Sequence, residues 1–400
     1  MRQQRPPWLL IYDTETPVGC RESVPTDKKP SSLPEDEIHE LERTQTNLQR
    51  LAMHLRYFRL LQRHQPPKAA VERFVSGYED DLQLPMQPLS DNHDPCQYDG
   101  IERDPIRYGL YERAITYALV DWNEKQKPTS GPNKRVVIAI VGSGHGSLVT
   151  RALQASAATK VPVEIWAIEK NPHTYIILKR HNRHDWGGVV KVDHNDMRSW
   201  KGPSRSSSDD TDVTYGKVDI FVSELLGSFA DNKLSPECLD GIQHVLATPH
   251  GISIPSSYGA HLTPILAPRI YGQISQSAPT NPMAYNTAYH VYLHAIDYLA
   301  SSVPGHPYIQ QAWEFVHPLP SSTLSTPEAR ANKHNVRYSK LKFTCKNRGV
   351  ISGIAGYLEV VLYDGGADKL VELSTRPDTV DHKSKNMLSW FPIFFPLKVR

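Results

Sequence analysis

The stretch VVIAIVGSGHG, residues 136–146, decides the fold class of this 400-residue chain. Its six leading apolar residues are mostly β-branched and predict a β-strand. The glycines that follow, Gly142, Gly144 and Gly146, permit a tight turn and let a ligand approach the backbone closely. A glycine-rich turn by itself is weak evidence for a ligand site, because a plain strand-to-helix turn explains it equally well.

Three more apolar segments of the same kind follow at nearly constant intervals. They end at Glu169, Asp196 and Glu224, and the successive spacings from Gly142 onward are 27, 27 and 28 residues. Each interval is long enough for a strand, a crossover helix and the turns between them. The pattern therefore predicts an α/β fold with a doubly wound, Rossmann-like parallel sheet.

Ligands of open parallel sheets bind beyond the carboxyl ends of the strands, so these four positions should be neighbours. Glu169 would accept hydrogen bonds from the two hydroxyls of a ribose, and Asp196 from a donor such as an adenine amino group. A nicotinamide dinucleotide and S-adenosylmethionine both fit such a pocket. The G-x-G-x-G spacing differs from the G-x-G-x-x-G of dinucleotide folds and favours S-adenosylmethionine.

The segments on either side of this sheet predict two further parts. After about residue 252, the alternating runs YSKLKFTC (338–345), GIAGYLEVVLY (353–363) and KLVELSTRP (369–377) predict an antiparallel β domain. The segment at 281–299 predicts a helical or irregular arm. Upstream, WLLIY at 8–12 predicts a strand. A helix is predicted after it from the apolar repeat of Leu48, Leu51, Leu55 and Phe58.

Composition narrows the function classes. A net charge of +2 with 22% charged residues lacks the dense basic character of a nucleic-acid binder. The four cysteines show no C-x-x-C spacing, and HNRH at 181–184 lacks further metal ligands, so no metal site is predicted. The apolar runs are too short for a membrane span. We expect a protein of the cytoplasm and nucleus, without nucleic acid or membrane as a direct partner.

The segment SELLGSFADNKLSPECLDG, residues 223–241, closely resembles the double-glutamate loop of protein arginine N-methyltransferases. Its SFADN and SPECLDG parts resemble the symmetric, type II branch, in a fungal-like form. RDPIRY, AIEKNP, NDMRSW and SWFPIFFP resemble the same branch in the same order, over roughly residues 66–400.

The resemblance implies a domain organisation. Residues 1–67 would be the last strand and helix of an N-terminal TIM barrel, and residues 68–103 a linker. A Rossmann-like S-adenosylmethionine domain at 104–250 and an incomplete C-terminal β-barrel with a dimerisation arm at 251–400 would follow. The chain is expected to be truncated at both ends.

The resemblance also implies site residues. Trp390 would shape the arginine pocket, because an indole face attracts a guanidinium. Ile101 stands where the family has a phenylalanine that restricts the product to symmetric dimethylarginine, so the product type stays open. S-adenosylmethionine would be bound by Tyr98, Arg107 (in place of the usual lysine), Tyr108, Gly142, Gly144, Glu169, Asp196 and Met197.

Lys233 is the strongest departure from the family pattern. The two loop glutamates of the family hold the substrate guanidinium, and here the first is Glu224 while Lys233 replaces the second. One unit-charge contact at about 4 Å is worth about 4 kcal/mol at an effective dielectric near 20, so we predict a weak or inactive methyltransferase. Glu237, four residues on, is a less favoured replacement for the missing acid.

Two other functions stay open at this point. One is a non-catalytic scaffold that keeps the fold, and the more distant one is an NAD-dependent dehydrogenase. For the leading hypothesis, the resemblance implies arginine-rich substrates such as histone tails and spliceosomal proteins. It also implies assembly into homo-oligomers.

Overall fold

Helix α1 (Glu35–Arg63) belongs to the first of two units, residues 1–69, and residues 70–400 form the second. The computed structural model describes residues 35–64, 67–87, 92, 98, 100, 102–206, 213–303, 306–327, 332–345 and 350–398. Helix α1 confirms the helix predicted from the leucine repeat. The strand predicted at 8–12 lies outside the described residues, so the origin of this unit in a TIM barrel stays a prediction.

The described part of the second unit contains short and long helices. They are α2 (Ala70–Phe74), α3 (Pro105–Glu124), α4 (Ser147–Thr159), α5 (Pro172–His184), α6 (Ser235–Ile242), α7 (Pro268–Ser277), α8 (Ser321–Leu324) and α9 (Val380–Lys383), with 3₁₀ turns at Pro132–Lys134, Gln243–Val245, Lys333–Asn335 and Ala367–Lys369.

The strands form two main sheets and two hairpins. The parallel sheet has β1 (Val136–Val141), β2 (Val163–Glu169), β3 (Lys191–His194), β6 (Ile220–Ser223) and β7 (Ile252–Ile254). The antiparallel sheet has β8 (Ser257–Leu266), β9 (Tyr289–His290), β10 (Asp297–Tyr298), β13 (Gln310–Val316), β14 (Gly353–Asp364), β15 (Leu370–Ser374) and β16 (Ile393–Pro396). The hairpins pair β4 (Ser204–Ser206) with β5 (Val213–Tyr215), and β11 (Ser301–Val303) with β12 (His306–Pro307).

The parallel sheet has the strand order β3-β2-β1-β6-β7. Every neighbouring pair is parallel, and α4 and α5 provide the crossovers from β1 to β2 and from β2 to β3. This confirms the doubly wound fold predicted from the strand-end spacing. Strand β1 is buried along its whole length because β2 and β6 flank it. Strand β7 pairs with β6, so this sheet extends past the predicted domain boundary at residue 250.

The antiparallel sheet confirms the predicted class of the C-terminal domain. Strand β14 pairs with β8, β15 and β16, and the runs at 353–363 and 369–377 supply β14 and β15. The strand predicted at 338–345 is wrong, because this segment joins no ladder. One of its carbonyls, that of Lys342, instead accepts a hydrogen bond from the Gln310 side chain at 2.7 Å. Among the described strands no ladder closes the sheet. An incomplete barrel was expected here, and the assignment to a barrel stays a prediction.

The predicted arm at 281–299 is irregular and contains the short strands β9 and β10. Both add to the antiparallel sheet, β9 beside β16 and β10 beside β8. Helix α7, which the sequence patterns did not indicate, precedes the arm.

Helix α3 joins the two sheets, since it packs against α4, β7, β14 and β15. Near its end, the Asp121 carboxylate accepts hydrogen bonds from Lys125 at 2.7 Å, Tyr363 at 2.8 Å and Lys369 at 2.5 Å. Burial of this carboxyl, which is 2% exposed, would raise its pKa, but the three donors outweigh burial and lower the pKa to about 2. Asp121 therefore anchors α3 on the antiparallel sheet as an ion.

We expect Asp121→Asn to lower the free energy of unfolding at pH 7 by about 2 kcal/mol, the linkage value of this pKa shift. Because the folded pKa lies below the usual 3.8, this stabilisation is complete above pH 4 to 5 and is lost as the pH falls through about 2. Urea unfolding at several pH values measures this contribution to the free energy of unfolding. Glu124→Gln is the matched control, since Glu124 pairs with the same Lys369 but is 61% exposed. Equal losses for both variants would contradict the assignment.

Candidate active site

The carboxyl ends of the parallel strands bring the predicted positions to one edge of the sheet. The last residue of β1 is level with Ile168 of β2 and with Ser223 of β6. Glu169, Gly142 and Glu224 therefore follow one another across this edge, with Gly142 in the middle. The fourth position lies beside them, because the residue before Asp196 donates its backbone N–H to the Glu169 carbonyl at 3.1 Å.

The glycine-rich turn and Glu169 form one half of the site. Gly144 has a φ of +56°, and a Cβ placed on it would lie 2.8 Å from Oε1 of Glu102. The Gly144 N–H donates to Oε2 of Glu169 at 3.0 Å, and the Asn171 N–H donates to Oε1 at 2.9 Å. Burial raises the pKa of Glu169, while these backbone donors oppose the rise. An ionised carboxylate is an acceptor only, which suits the two hydroxyl donors of a ribose.

Tyr98 and Glu102 cover the turn. The Tyr98 ring lies 4.9 Å from the His145 ring, and burial together with the Glu169 charge raises the pKa of Tyr98 to about 12. The structure thus places the predicted Tyr98 at the turn. Glu102 accepts hydrogen bonds from the His145 N–H at 2.8 Å and from the Ser147 hydroxyl. Sequence reasoning missed Glu102, because nothing local shows that it meets the start of α4.

Asp196 and Met197 continue this half of the site beyond β3. Met197 is buried, whereas Asp196 accepts three hydrogen bonds from Arg198, the shortest at 2.6 Å from Nη2. The side-chain hydrogen bonds from Arg198 lower the pKa of Asp196. Most of its acceptor capacity is therefore used by Arg198, another residue that sequence reasoning did not single out.

The other half of the site surrounds Arg107 at the start of α3. Its guanidinium is only 2% exposed, and Nη1 lies 2.9 Å from Oε2 of Glu224. Its Cζ lies 4.6 Å from the centre of the Tyr108 ring and 5.1 Å from that of Trp390. Burial raises the pKa of Glu224, and the charges of Arg107 and Lys233 oppose the rise. A carboxylate and two aromatic rings thus hold a planar cation here.

Trp390 is held in a fixed position. Its indole Nε1 donates to the Leu226 carbonyl at 3.0 Å, and its φ of +58° lies in the left-handed region. Such a backbone is costly for a bulky residue and is common where a side chain must be aimed at a site. Trp390 and Glu224 therefore lie around the same Arg107 guanidinium, and the role of Trp390 in an arginine pocket stays a prediction.

Lys233 lies half-buried near Glu224. Burial lowers the pKa of its ammonium, while Glu224 opposes the fall and Arg107 adds to it. In the part of the chain that the structure describes, Lys233 forms neither a hydrogen bond nor an ion pair. Glu237, the less favoured replacement for the second acid, has a different partner: its Oε1 accepts a hydrogen bond from Asn332 at 2.9 Å. Within the loop at 223–241, Glu224 is therefore the carboxylate that interacts with both Arg107 and Lys233.

Two predictions concern residues or features outside this geometry. Ile101 lies outside the described residues. Within the described ranges, no group of three or more histidine, cysteine or acidic side chains is arranged to hold a metal ion. No helix there is both long and apolar enough to cross a bilayer.

Comparison with known families decides the classification. Residues 69–254 match the family model described as PRMT5 arginine-N-methyltransferase, and residues 257–400 match the one described as PRMT5 oligomerisation domain. The chain belongs to the PRMT5 arginine-N-methyltransferase family. This confirms the type II resemblance seen in residues 223–241.

Several curated members of the PRMT5 family are similar to this chain. Protein arginine N-methyltransferase skb1 of Schizosaccharomyces pombe is 40% identical over 342 residues, which are 86% of this chain and 49% of that protein. Protein arginine N-methyltransferase 5 of Oryza sativa subsp. indica is 39% identical, over 87% of this chain and 48% of that protein. The chain thus spans about half the length of these relatives.

Solved structures share the PRMT fold with this chain. Protein arginine methyltransferase 10 of Arabidopsis thaliana has a TM-score of 0.51 and 15% identity, covering 76% of this chain and 84% of that one. The PRMT1 enzyme–prozyme complex of Trypanosoma brucei, solved with AdoHcy, has a TM-score of 0.50 and 13% identity, covering 76% and 82%. At this identity, the likeness supports the fold alone.

Proposed function

We propose that this chain is an S-adenosylmethionine-dependent protein arginine N-methyltransferase. One observation carries the proposal: a guanidinium lies 4.6 and 5.1 Å from the centres of two aromatic rings and against the Glu224 carboxylate, at the sheet edge that also holds the glycine turn and Glu169. The guanidinium there is that of Arg107, so the chemistry of this pocket suits the proposed substrate group. The neighbouring cradle at Gly144 and Glu169 suits a nucleoside.

The residues of the site have separate proposed roles in binding the cofactor and the substrate. S-adenosylmethionine, when bound, supplies the methyl group as an electrophile. Gly144 and Glu169 would hold its nucleoside. Arg107, which pairs with Glu224 in this structure, would leave that carboxylate to the substrate and pair with the carboxylate of the cofactor. Glu224 would fix a substrate guanidinium in plane and draw its positive charge away from the nitrogen that attacks. Trp390 would hold the same group from its face, and this alignment lowers the barrier of an in-line displacement.

The proposed activity is weak in this chain because of Lys233. A substrate guanidinium entering beside Glu224 meets one carboxylate and the Lys233 ammonium, where the family pattern has two carboxylates. Each lost or repulsive contact is worth about 4 kcal/mol at 4 Å and an effective dielectric near 20.

Substrates, product, partners and location are part of the proposal. Arginine-rich tails of histones and spliceosomal proteins are the proposed substrates, and symmetric dimethylarginine is the proposed product. Homo-oligomers are proposed because residues 257–400 match a family oligomerisation domain. The proposed location is the cytoplasm and nucleus.

Calorimetric titration with S-adenosylmethionine tests the cofactor half. We expect Gly144→Ala to weaken binding about tenfold or more, since a left-handed backbone costs a non-glycine residue about 1–2 kcal/mol and the new Cβ would meet Glu102. Gly187→Ala is the matched control, because Gly187 has a φ of +63° but nothing within 4 Å of its added Cβ. No binding by the unmodified chain, or equal weakening in both variants, would refute the proposed site.

A further inference from the structure

The Asp104 carboxylate, which is 2% exposed, accepts hydrogen bonds from two separate segments of the chain. Its Oδ1 accepts from the backbone N–H groups of Ile106 and Arg107, each at 3.1 Å, and so caps helix α3. Its Oδ2 accepts from the N–H groups of Leu388 and Ser389, each at 2.8 Å, and from the Ser389 hydroxyl at 2.7 Å.

The hydrogen bonds to Oδ2 are not needed for helix capping. A helix cap needs only one oxygen, yet Oδ2 takes three donors from a loop that is 284 residues further along the chain. The residue that follows this loop is Trp390, the aromatic wall of the pocket. The residue three positions after Asp104 is Arg107, which faces the same pocket.

We propose that Asp104 is a positioning residue that aligns the Trp390 wall of the arginine pocket with the cofactor-facing start of α3. It acts through the Leu388–Ser389 backbone and does not itself contact a reacting group. This inference rests on the proposed function for its kinetic consequence, but the alignment itself is a property of the fold.

The physical reason is the cost of unsatisfied donors. Two backbone N–H groups and a hydroxyl converge on Oδ2 in a buried place, where each would be costly without an acceptor. With the carboxylate present, the loop has one favoured position, and Trp390 keeps its left-handed backbone. Without it, the loop must move to find water, and the indole moves with it.

Two variants separate the helix-capping role of Asp104 from its role in holding residues 388–389. Asp104→Ser keeps a good helix cap, because a serine oxygen can accept from Ile106 and Arg107, but it leaves the loop donors without an acceptor. Asp104→Asn keeps the shape of the side chain, but its NH₂ group replaces one carboxylate oxygen and cannot accept from one of the two sets of donors. It is the second variant if Asp104→Ser folds poorly. Asp219→Asn is the matched control. Asp219 is also buried and accepts from Ser130 and Val137, but it precedes β6 at the opposite edge of the sheet.

The first readout needs no activity. Hydrogen exchange in the full chain should show a loss of protection of about tenfold or more at Leu388 and Ser389 in Asp104→Ser, and none there in Asp219→Asn. The second readout is kinetic, with Lys233→Glu as the background. The KM for an arginine peptide should rise about tenfold, while the dissociation constant of S-adenosylmethionine stays within about twofold.

The outcomes are distinct. Unchanged protection at Leu388 and Ser389 overturns the inference whatever the kinetics show. Equal weakening of peptide and cofactor overturns it as well, because it indicates general loss of structure. If no variant methylates the peptide but protection is lost at the two residues, the proposed function fails and the alignment by Asp104 stands.

Discussion

Replacing Lys233 with glutamate should raise kcat/KM for methylation of an arginine peptide by about 100-fold or more, since each 1.4 kcal/mol is worth tenfold. In the structure, Glu224 is the loop carboxylate at the pocket, and its negative charge attracts the positive charges of both Arg107 and Lys233. The substitution removes one repulsion from an incoming guanidinium and adds one attraction. Both changes favour the cationic substrate, and neither touches the glycine turn.

The measurement is a steady-state assay with labelled S-adenosylmethionine, followed by mass spectrometry of the product. Lys233→Gln separates the two effects, because it removes the repulsion without adding an acid, and its gain should be smaller. Lys179→Glu is the control for net charge, since Lys179 lies exposed on α5, and it should change kcat/KM by less than about twofold. Equal robust rates for Lys233→Glu and the unmodified chain would show that Lys233 does not impair the site.

Replacing Glu224 with glutamine in the Lys233→Glu variant should lower kcat/KM by about 1000-fold, the effect of losing about 4 kcal/mol of charge attraction. The amide keeps the shape of the side chain but cannot draw positive charge along the guanidinium. It also leaves the buried Arg107 without its partner at 2.9 Å, so some loss of stability accompanies the loss of rate.

Cofactor affinity distinguishes the pocket from the fold. Glu224→Gln should retain S-adenosylmethionine binding, because Gly144 and Glu169 hold the nucleoside side of the site. Glu112→Gln removes a comparable arginine partner on the surface, that of Arg151 at 2.7 Å, and should leave the rate unchanged. A Glu224→Gln variant that methylates normally would exclude this carboxylate from catalysis.

A pH profile provides a further check on the same residue. Burial raises the pKa of Glu224, and the reaction needs the ionised carboxylate. Activity of the Lys233→Glu variant should therefore fall with decreasing pH, starting above the range expected for an exposed glutamate.

Much of the fold was predictable because the patterns that encode it are local. The buried strands at 136–141 and 163–169, and the near-constant interval between strand ends, indicate a parallel sheet whatever lies around them. The alternating run at 338–345 shows the limit of such patterns. Alternation indicates a strand only if a neighbour is there to pair with it, and this segment has none among the described strands.

The candidate site was predictable in part for the same reason. Glu169 and Glu224 stand at strand ends, which parallel topology must bring to one edge, and residues 223–241 carry the family pattern. The partners of these acids were not predictable. Glu102 and Arg198 meet the site through turns and helix starts whose approach no periodicity encodes.

The sequence by itself determined the class of the fold, the edge at which a ligand would bind and the charge reversal at Lys233, because these depend on residue type and spacing along the chain. Only the tertiary structure decided that Arg107 lies against Glu224 and Trp390, and that Asp104 holds a loop 284 residues away. Contacts between residues so far apart are set by how the helices and the two sheets pack together, and that packing leaves no local signal in the sequence.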